Sequence, residues 1–139
     1  MNERTIARAV ILRDGHVLLL RRAPNERIAP GIWQCPAGKQ ENDETIEQTL
    51  ARELREETGL EVLKAIPVDT MSTVFETEGK LTNWHQYSFL VTTTNYNIIL
   101  SSEHDDFCWV KISDIDNFAE LAEPVKSAIA HAVTTQLTK

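Results

Sequence analysis

The sequence has few cysteines and no long hydrophobic run, and each shortage excludes a class of protein. Its 139 residues include two cysteines, Cys35 and Cys108, which lie far apart and form no CxxC pair. We therefore expect two packed, reduced thiols in a cytoplasmic protein, without a disulfide framework or a cysteine nucleophile. Apolar runs such as 17–20 are far shorter than the roughly 20 residues that a membrane span needs. The first ten residues also lack the apolar segment of a signal peptide.

A net positive charge is also missing. The chain has 14 basic and 21 acidic residues, a net charge of −7. Duplex nucleic acid requires a basic face on its partner, so we expect no such partner. The charge is uneven, with +4 in residues 1–40, −6 in 41–61 and −5 in 62–139. The acidic stretch 41–61 would repel a phosphate compound unless a cation lay between them.

The composition that remains is typical of one globular domain. With 42% hydrophobic and 25% charged residues, we expect a single domain over residues 1–139. Asp14-Gly15 is a two-residue turn signal, and it predicts a hairpin between strands at 4–13 and 16–22. Further strands are predicted at 60–68, 70–78, 81–93 and 107–111.

Two longer helices are predicted around these strands. Residues 43–58 contain no proline or glycine, with Asp43 as the expected N-cap and Gly59 just after the end. Ser113 is expected to cap a short helix, and the last helix is predicted from about Pro124 to Leu137. Strands interleaved with helices predict an α/β fold with a mixed sheet and helices packed on it.

Three glutamates of the first predicted helix converge on one patch. At about 100° per residue, Glu53, Glu56 and Glu57 lie on one side, within or beside the apolar stripe. Their repulsion and partial burial would be relieved by a multivalent cation. Oxygen ligands without a nearby histidine or cysteine favour Mg²⁺, or alternatively Mn²⁺. A solvated acidic face paired with Arg52 and Arg55 fits the helix geometry equally well.

The spacing around these glutamates is a more specific signal. From Gly38 to Leu60 the sequence GKQENDETIEQTLARELREETGL fits the pattern G-x5-E-x7-R-E-U-x-E-E-x-G-U, in which U is apolar. This pattern resembles the Nudix box. The preceding GIWQCPAGK is similar to the usual G-x-W-x-x-P-G-G-K lead-in, with Ala37 in place of one glycine. The resemblance implies a Nudix-type α/β/α sandwich with a mixed β-sheet between helices.

The resemblance also implies a chemistry, namely Mg²⁺-dependent hydrolysis of a diphosphate linkage in a nucleotide. Carried over from the family, the metal ligands would be Glu53, Glu56, Glu57 and the carbonyl of Gly38. Glu103, in the acidic loop before the last predicted strand, is our choice for a further ligand or base. The general base stays open between Glu53, Glu56 and Glu103. Metal charge would neutralise phosphate oxygens and activate a water.

Basic residues near the box resemble phosphate-contacting positions of MutT-like members. These are Arg22, at the end of the second strand, and Lys39, just inside the box. A positive group beside an anionic substrate is electrostatically favourable. A surface position is an equally good interpretation of Arg22. The implied partner is a small nucleotide or other diphosphate compound, bound by a monomer or a homodimer that does not contact a membrane.

The substrate is predicted mainly by elimination. The guanine-reading asparagine of MutT-type 8-oxo-guanine nucleotide hydrolases would fall on Ala122, which cannot form that paired hydrogen bond. Hydrolysis of a nucleoside triphosphate to the monophosphate and pyrophosphate is therefore our main prediction. The alternatives are a hydrolase of a nucleoside diphosphate sugar or dihydroneopterin triphosphate, a Nudix-fold module that binds a nucleotide without cleaving it, and a structural domain with an acidic helix.

Overall fold

The computed structural model describes residues 1–138. The strands are β1 (Asn2–Val10), β2 (Leu12–Arg13), β3 (His16–Arg22), β4 (Trp33–Gln34), β5 (Ala37–Lys39), β6 (Val62–Thr77), β7 (Lys80–Thr93) and β8 (His104–Lys111). The helices are α1 (Ile46–Thr58), α2 (Ile115–Phe118) and α3 (Glu123–Leu137), with a 3₁₀ turn at Ile112–Asp114 before α2. None of these helices is long and apolar enough to cross a bilayer.

The strands form two sheets, which confirms the α/β prediction and its mixed sheet. The first has the order β5-β1-β7-β6, and in it β1 runs parallel to β7 while the other pairs are antiparallel. The second sheet is antiparallel, with β3 paired to β2, β4 and β8. The hairpin predicted at Asp14-Gly15 is confirmed, but it is short, because only Leu12↔Val17 and Arg13↔His16 pair across the turn. The rest of the first segment pairs instead with β7, over nine residues.

The predicted strands at 60–68 and 70–78 are one strand, β6. Its register against β7 shifts between Pro67 and Asp69. Proline cannot donate a ladder hydrogen bond, and it is tolerated at bulges on edge strands such as this one. The chain therefore passes the irregularity without leaving the sheet. The last strand also begins earlier than predicted, at His104, because its first residues pair with the end of β3.

Helix α1 begins two residues later than the N-cap prediction implied. Thr45 is the N-cap, and its hydroxyl accepts the Gln48 N–H while the Gln48 side chain accepts the Thr45 N–H. Asp43 instead lies in the preceding turn, with a φ of 69°. At the other end, Gly59 is left-handed (φ 74°) and its N–H bonds Arg55, which confirms the predicted C-terminus.

The predicted terminal segments are largely confirmed. Pro124 lies in the first turn of α3, as expected. Ser113 lies in the 3₁₀ turn and makes no capping hydrogen bond, so its predicted role is wrong.

Cys35 and Cys108 are free thiols, and burial raises the pKa of the Cys35 thiol to about 12.

Two apolar cores lie on opposite faces of the strands. On one face, Leu50 and Leu54 of α1 pack against Ala7 and Ala9 of β1. On the other, Val125 and Ile129 of α3 contact a cluster that also contains Val10, Val17 and Leu19. Strand β3 contributes to both cores, since Leu18 and Leu20 face α1 while Val17 and Leu19 face α3. The sheets hold α1, which carries Glu53, Glu56 and Glu57, against the box loop.

Candidate active site

The box loop and α1 come into close contact where Gly38 of the loop lies against Glu53 of the helix. Gly38 pairs with Ala7 in the β1–β5 ladder and thereby faces the helix. A Cβ built on Gly38 would overlap the carboxyl group of Glu53. Any side chain at this position would displace that carboxylate, so the glycine is required for close approach and not for an unusual backbone angle.

Glu57 is the most buried acidic side chain of the patch, with 2% exposure. It accepts the Ala37 N–H at 3.1 Å. Burial raises its pKa well above the usual range, and the nearby charges of Glu53 and Glu103 raise it further, whereas Arg22 opposes the shift. A buried carboxylate held among other carboxylates is unstable unless it is protonated or bound to a cation.

Glu53 is half-buried beside it. Burial raises the pKa of Glu53, Arg52 opposes this through a hydrogen bond, and Glu56 and Glu103 raise the pKa further. Glu103 therefore lies close enough to act electrostatically on both Glu53 and Glu57, although it comes from the loop before β8. The structure thus brings the outside acidic residue to the box, while Glu56 remains largely exposed on α1.

Arg52 connects these carboxylates to the box loop. Its Nε lies 2.6 Å from Glu44 Oε2, and its Nη2 donates to the Lys39 carbonyl at 3.0 Å. Its Nη1 donates to Glu53 at 2.8 Å and to Glu56 at 3.3 Å. The Arg52 hydrogen bonds lower the pKa of Glu44 to about 2. The guanidinium therefore fixes the loop and holds two of the three box glutamates.

The two predicted phosphate-contacting residues occupy different surroundings. Exposed Lys39 lies in a cleft of about 740 Å³, which Arg4, Asp43 and Glu53 also line. Arg22 is partly buried, and it donates to the Ile28 carbonyl at 2.7 Å and to Glu26 at 3.0 Å. Lys39 is thus free to meet a ligand, whereas Arg22 also anchors the loop between β3 and β4.

The box carboxylates are not gathered around one point. Within residues 1–138, no three acidic, histidine or cysteine side chains form a ready metal-binding cluster. The reason is visible in the contacts, because Arg52 neutralises Glu53 and Glu56 while Glu57 faces the Ala37 N–H. The chemistry of these side chains still suits a hard divalent cation, since Glu53, Glu56 and Glu57 offer only carboxylate oxygens and Glu57 is buried.

Sequence reasoning missed His104, next to Glu103. Its side chain is 3% exposed, and its Nε2 accepts a hydrogen bond from Gln34 Nε2 at 3.2 Å. Burial and the charge of Arg22 lower the pKa of His104 to about 4, so the ring is neutral at neutral pH. The Glu103 carbonyl accepts the Ala23 N–H at 2.9 Å. Together these contacts tie the Glu103 loop to β3 and β4, and no sequence motif signals them.

A comparison of the whole chain with known protein families agrees with this geometry. The sequence model of the NUDIX domain matches residues 3–132. The chain belongs to the Nudix family. It is accordingly a Nudix pyrophosphohydrolase, of a family that generally uses a divalent metal such as Mg²⁺.

Relatives of this Nudix hydrolase include a nucleoside triphosphatase. Nucleoside triphosphatase NudI of Klebsiella pneumoniae (strain 342) is 31% identical over 125 residues, which cover 85% of this chain and 89% of the relative. The crystal structure of the MutT Nudix hydrolase from Burkholderia pseudomallei has a TM-score of 0.78 at 22% identity, covering 94% of this chain and 98% of that one. The MutT protein of Methanosarcina mazei Go1 has a TM-score of 0.73 at 27% identity, covering 99% and 97%.

Proposed function

We propose that this Nudix hydrolase converts a nucleoside triphosphate to the nucleoside monophosphate and pyrophosphate in a Mg²⁺-dependent reaction, within a single domain spanning residues 1–139. The observation that carries the proposal is the buried Glu57 carboxylate beside Glu53, whose negative charge a bound cation would stabilise. The similarity to a nucleoside triphosphatase over most of the chain supports the substrate class.

The proposed metal ligands are Glu53, Glu56, Glu57, Glu103 and the carbonyl of Gly38. Mg²⁺ bound there would neutralise phosphate oxygens and lower the pKa of a bound water. Mn²⁺ has the same preference for oxygen and would substitute for it. The overlap between Glu53 and any side chain at position 38 supports including both residues in one site.

The protein's own residues supply proton transfer and positioning. A carboxylate of Glu53, Glu56 or Glu103 accepts the proton of the attacking water, whose oxygen forms a new bond to phosphorus while the bridging P–O bond breaks. When the water attacks the α-phosphorus, the bridging oxygen leaves with the pyrophosphate, and when it attacks the β-phosphorus, that oxygen leaves with the nucleoside monophosphate. Arg52 is a positioning residue, because it holds Glu53 and Glu56 and does not itself extend into the cleft.

Lys39 and Arg22 are the proposed contacts to the phosphate chain. Lys39 projects into the cleft that Glu53 lines, where its ammonium would meet phosphate oxygens. Arg22 lowers the pKa of Glu57, which places its charge near the carboxylate patch. Its two loop contacts leave guanidinium N–H groups for a phosphate.

The test is a substrate screen with the purified protein and Mg²⁺. Nucleoside triphosphates, a nucleoside diphosphate sugar, a dinucleotide and dihydroneopterin triphosphate are compared by the products released. The proposal requires pyrophosphate together with a nucleoside monophosphate. Cleavage of only sugar-linked or dinucleotide substrates would overturn the triphosphate assignment, and binding without any cleavage would favour a non-catalytic module. Glu53→Gln should slow this hydrolysis. Glu47→Gln changes an exposed glutamate of the same helix and serves as its matched control.

A further inference from the structure

Strand β8 has one edge that pairs with no other strand. Within residues 1–138, its ladder joins only β3. An open depression of about 440 Å³ lies beside it, lined by Trp109 and Lys111 of the strand and by Phe118 of α2. An unpaired strand edge next to open space is a template for pairing with a further strand.

The backbone groups on this edge can be identified from β3. The Leu18 N–H donates to the Ile11 carbonyl at 3.1 Å, on the side of β3 that faces away from β8. Leu18 is the partner of Trp109 in the ladder. Facing residues of an antiparallel pair direct their N–H and C=O groups either towards each other or away from each other. Trp109 therefore directs its backbone groups to the free edge, as do Phe107 and Lys111, two positions away on either side.

The side chains along this edge differ in charge between its two ends. Asp106 Oδ1 accepts the Phe107 N–H at 2.8 Å, in agreement with an N–H that points away from β3. At one end, the exposed Asp105 accepts a hydrogen bond from Arg21 at 2.8 Å. At the other end, Lys111 is exposed and forms no ion pair within residues 1–138. The edge thus has an acidic end and a basic end.

Such a strand is complementary to a second copy of itself. In an antiparallel register with Cys108 on a two-fold axis, Asp105 faces Lys111 of the second copy, and Phe107 faces Trp109 of the second copy. The two-fold symmetry forms each of these contacts twice. Because Phe107 and Trp109 both direct their backbone groups outwards, this register also aligns them for hydrogen bonds across the interface.

The neighbouring register, with the axis on Trp109, lacks the charge match. It would place Asp105 opposite Ser113 and Lys111 opposite Phe107, so that neither charge meets its opposite. Registers with the axis between two residues would set outward-directed backbone groups against inward-directed ones, and these form no ladder. Charge complementarity therefore favours the axis at Cys108.

We propose that two copies of this chain form a dimer by antiparallel pairing of their β8 strands, with Cys108 of each copy beside the two-fold axis. The Trp109 carbonyl of one copy accepts the Phe107 N–H of the other, and it replaces the Asp106 carboxylate there. Each Lys111 gains Asp105 of the second copy as an ionic partner. The interface involves neither the box glutamates nor a nucleotide, so its test is independent of the proposed function.

The test is the oligomeric state of the full chain, measured by analytical ultracentrifugation in reducing buffer. The wild type should sediment as a dimer that dissociates on dilution. Lys111→Asp would set two aspartates opposite each other at both ends of the interface, and Asp105→Lys would set two lysines there. Each variant alone should dimerise about tenfold more weakly. An equimolar mixture of the two should restore the dimer, because every facing pair again has opposite charges.

The matched control is Lys64→Asp, which makes the same charge change on β6, the edge strand of the other sheet. It should dimerise like the wild type. Recovery in the mixture also shows that both variants fold. A wild type that stays monomeric at its highest soluble concentration would overturn the proposal. So would single variants that dimerise normally, a mixture that stays monomeric, or loss of the dimer in Lys64→Asp.

Cys108 provides an independent measurement of the register. Facing residues of a non-hydrogen-bonded antiparallel pair have Cα atoms about 4.5 Å apart, within the range that a disulfide spans. Diamide accepts two electrons and two protons from a pair of thiols, so it should link two chains through Cys108. The linked dimer should form in Cys35→Ala, which lacks the buried thiol, and be absent in Cys108→Ser. Lys111→Asp should form it about tenfold more slowly. No linked dimer in the wild type, or equal linking in Lys111→Asp, would contradict the register.

Discussion

Gly38 lies directly against the carboxyl group of Glu53, in space that any side chain would fill. Gly38→Ala should therefore push Glu53 out of position without a backbone penalty, because the glycine does not have a positive φ. We expect hydrolysis to fall by about 10–100-fold with little change in Tm, as for other residues that orient metal ligands. Steady-state kinetics and a melting curve check this. Wild-type activity in Gly38→Ala would show that Glu53 does not need its observed position.

Burial of Glu57 should make the metal-free protein less stable as pH rises. Its pKa in the folded state is raised above the unfolded value near 4.5, so the folded state binds the proton more tightly. Stability from this group is present below pH 4.5 and is lost as pH increases towards the folded pKa. Glu57→Gln should keep the contact to Ala37 and raise Tm by a few degrees at pH 7 in EDTA. An equal gain in the exposed control Glu47→Gln would contradict this explanation.

The Arg52–Glu44 pair should have the opposite pH dependence. The pKa of Glu44 is lowered to about 2, so its stabilising contribution is present above pH 4.5 and is lost as pH falls through about 2. Glu44→Gln should therefore be less stable than the wild type at pH 7, with the difference shrinking in acid. Urea midpoints at pH 7 and at pH 3 measure this. A difference that stays constant with pH would exclude the ionised pair as its cause.

Divalent metal should bind the folded protein through Glu57. Because Arg52 now neutralises Glu53 and Glu56, Mg²⁺ or Mn²⁺ must compete with it, and we expect millimolar metal to raise the Tm of the wild type. Glu57→Gln should remove most of this increase, and Glu47→Gln should retain it. EDTA should reverse the effect. A rise in Tm that is equal in all three proteins would place the metal elsewhere.

The acidic helix was predictable from local spacing. Its carboxylates and its terminal glycine follow helical periodicity, and the box pattern adds the glycine of the loop. The N-cap prediction of Asp43 was wrong although the sequence carried the deciding signal, because Thr45 and Gln48 have the spacing of a capping box and Asp43 has no such partner three residues later. The two-residue difference therefore comes from reciprocal hydrogen bonds within the first turn of the helix.

The pairing of strands that are distant in the sequence could not be predicted and became visible only in the structure. The Asp14-Gly15 turn correctly predicted a hairpin, but the residues before it pair with β7, far away in the sequence, and not with β3 as expected. The same parallel pairing places Arg8 beside Ser88 and Gln86 beside Ile6, which no motif indicates. His104 was missed for the same reason, since its partner Gln34 is 70 positions away. Arg8 and His104 are therefore buried because of long-range strand pairing, and their residue types alone do not predict it.

The most direct test of the proposed activity is product analysis of dNTP hydrolysis by the wild type, Glu53→Gln and Glu47→Gln, with and without Mg²⁺. We predict that the wild type and Glu47→Gln release pyrophosphate and the nucleoside monophosphate in equal amounts, only when Mg²⁺ is present. Glu53→Gln should be slower by about 100-fold or more. Undiminished pyrophosphate release by Glu53→Gln, or equal release in EDTA, would contradict the proposed metal-dependent mechanism.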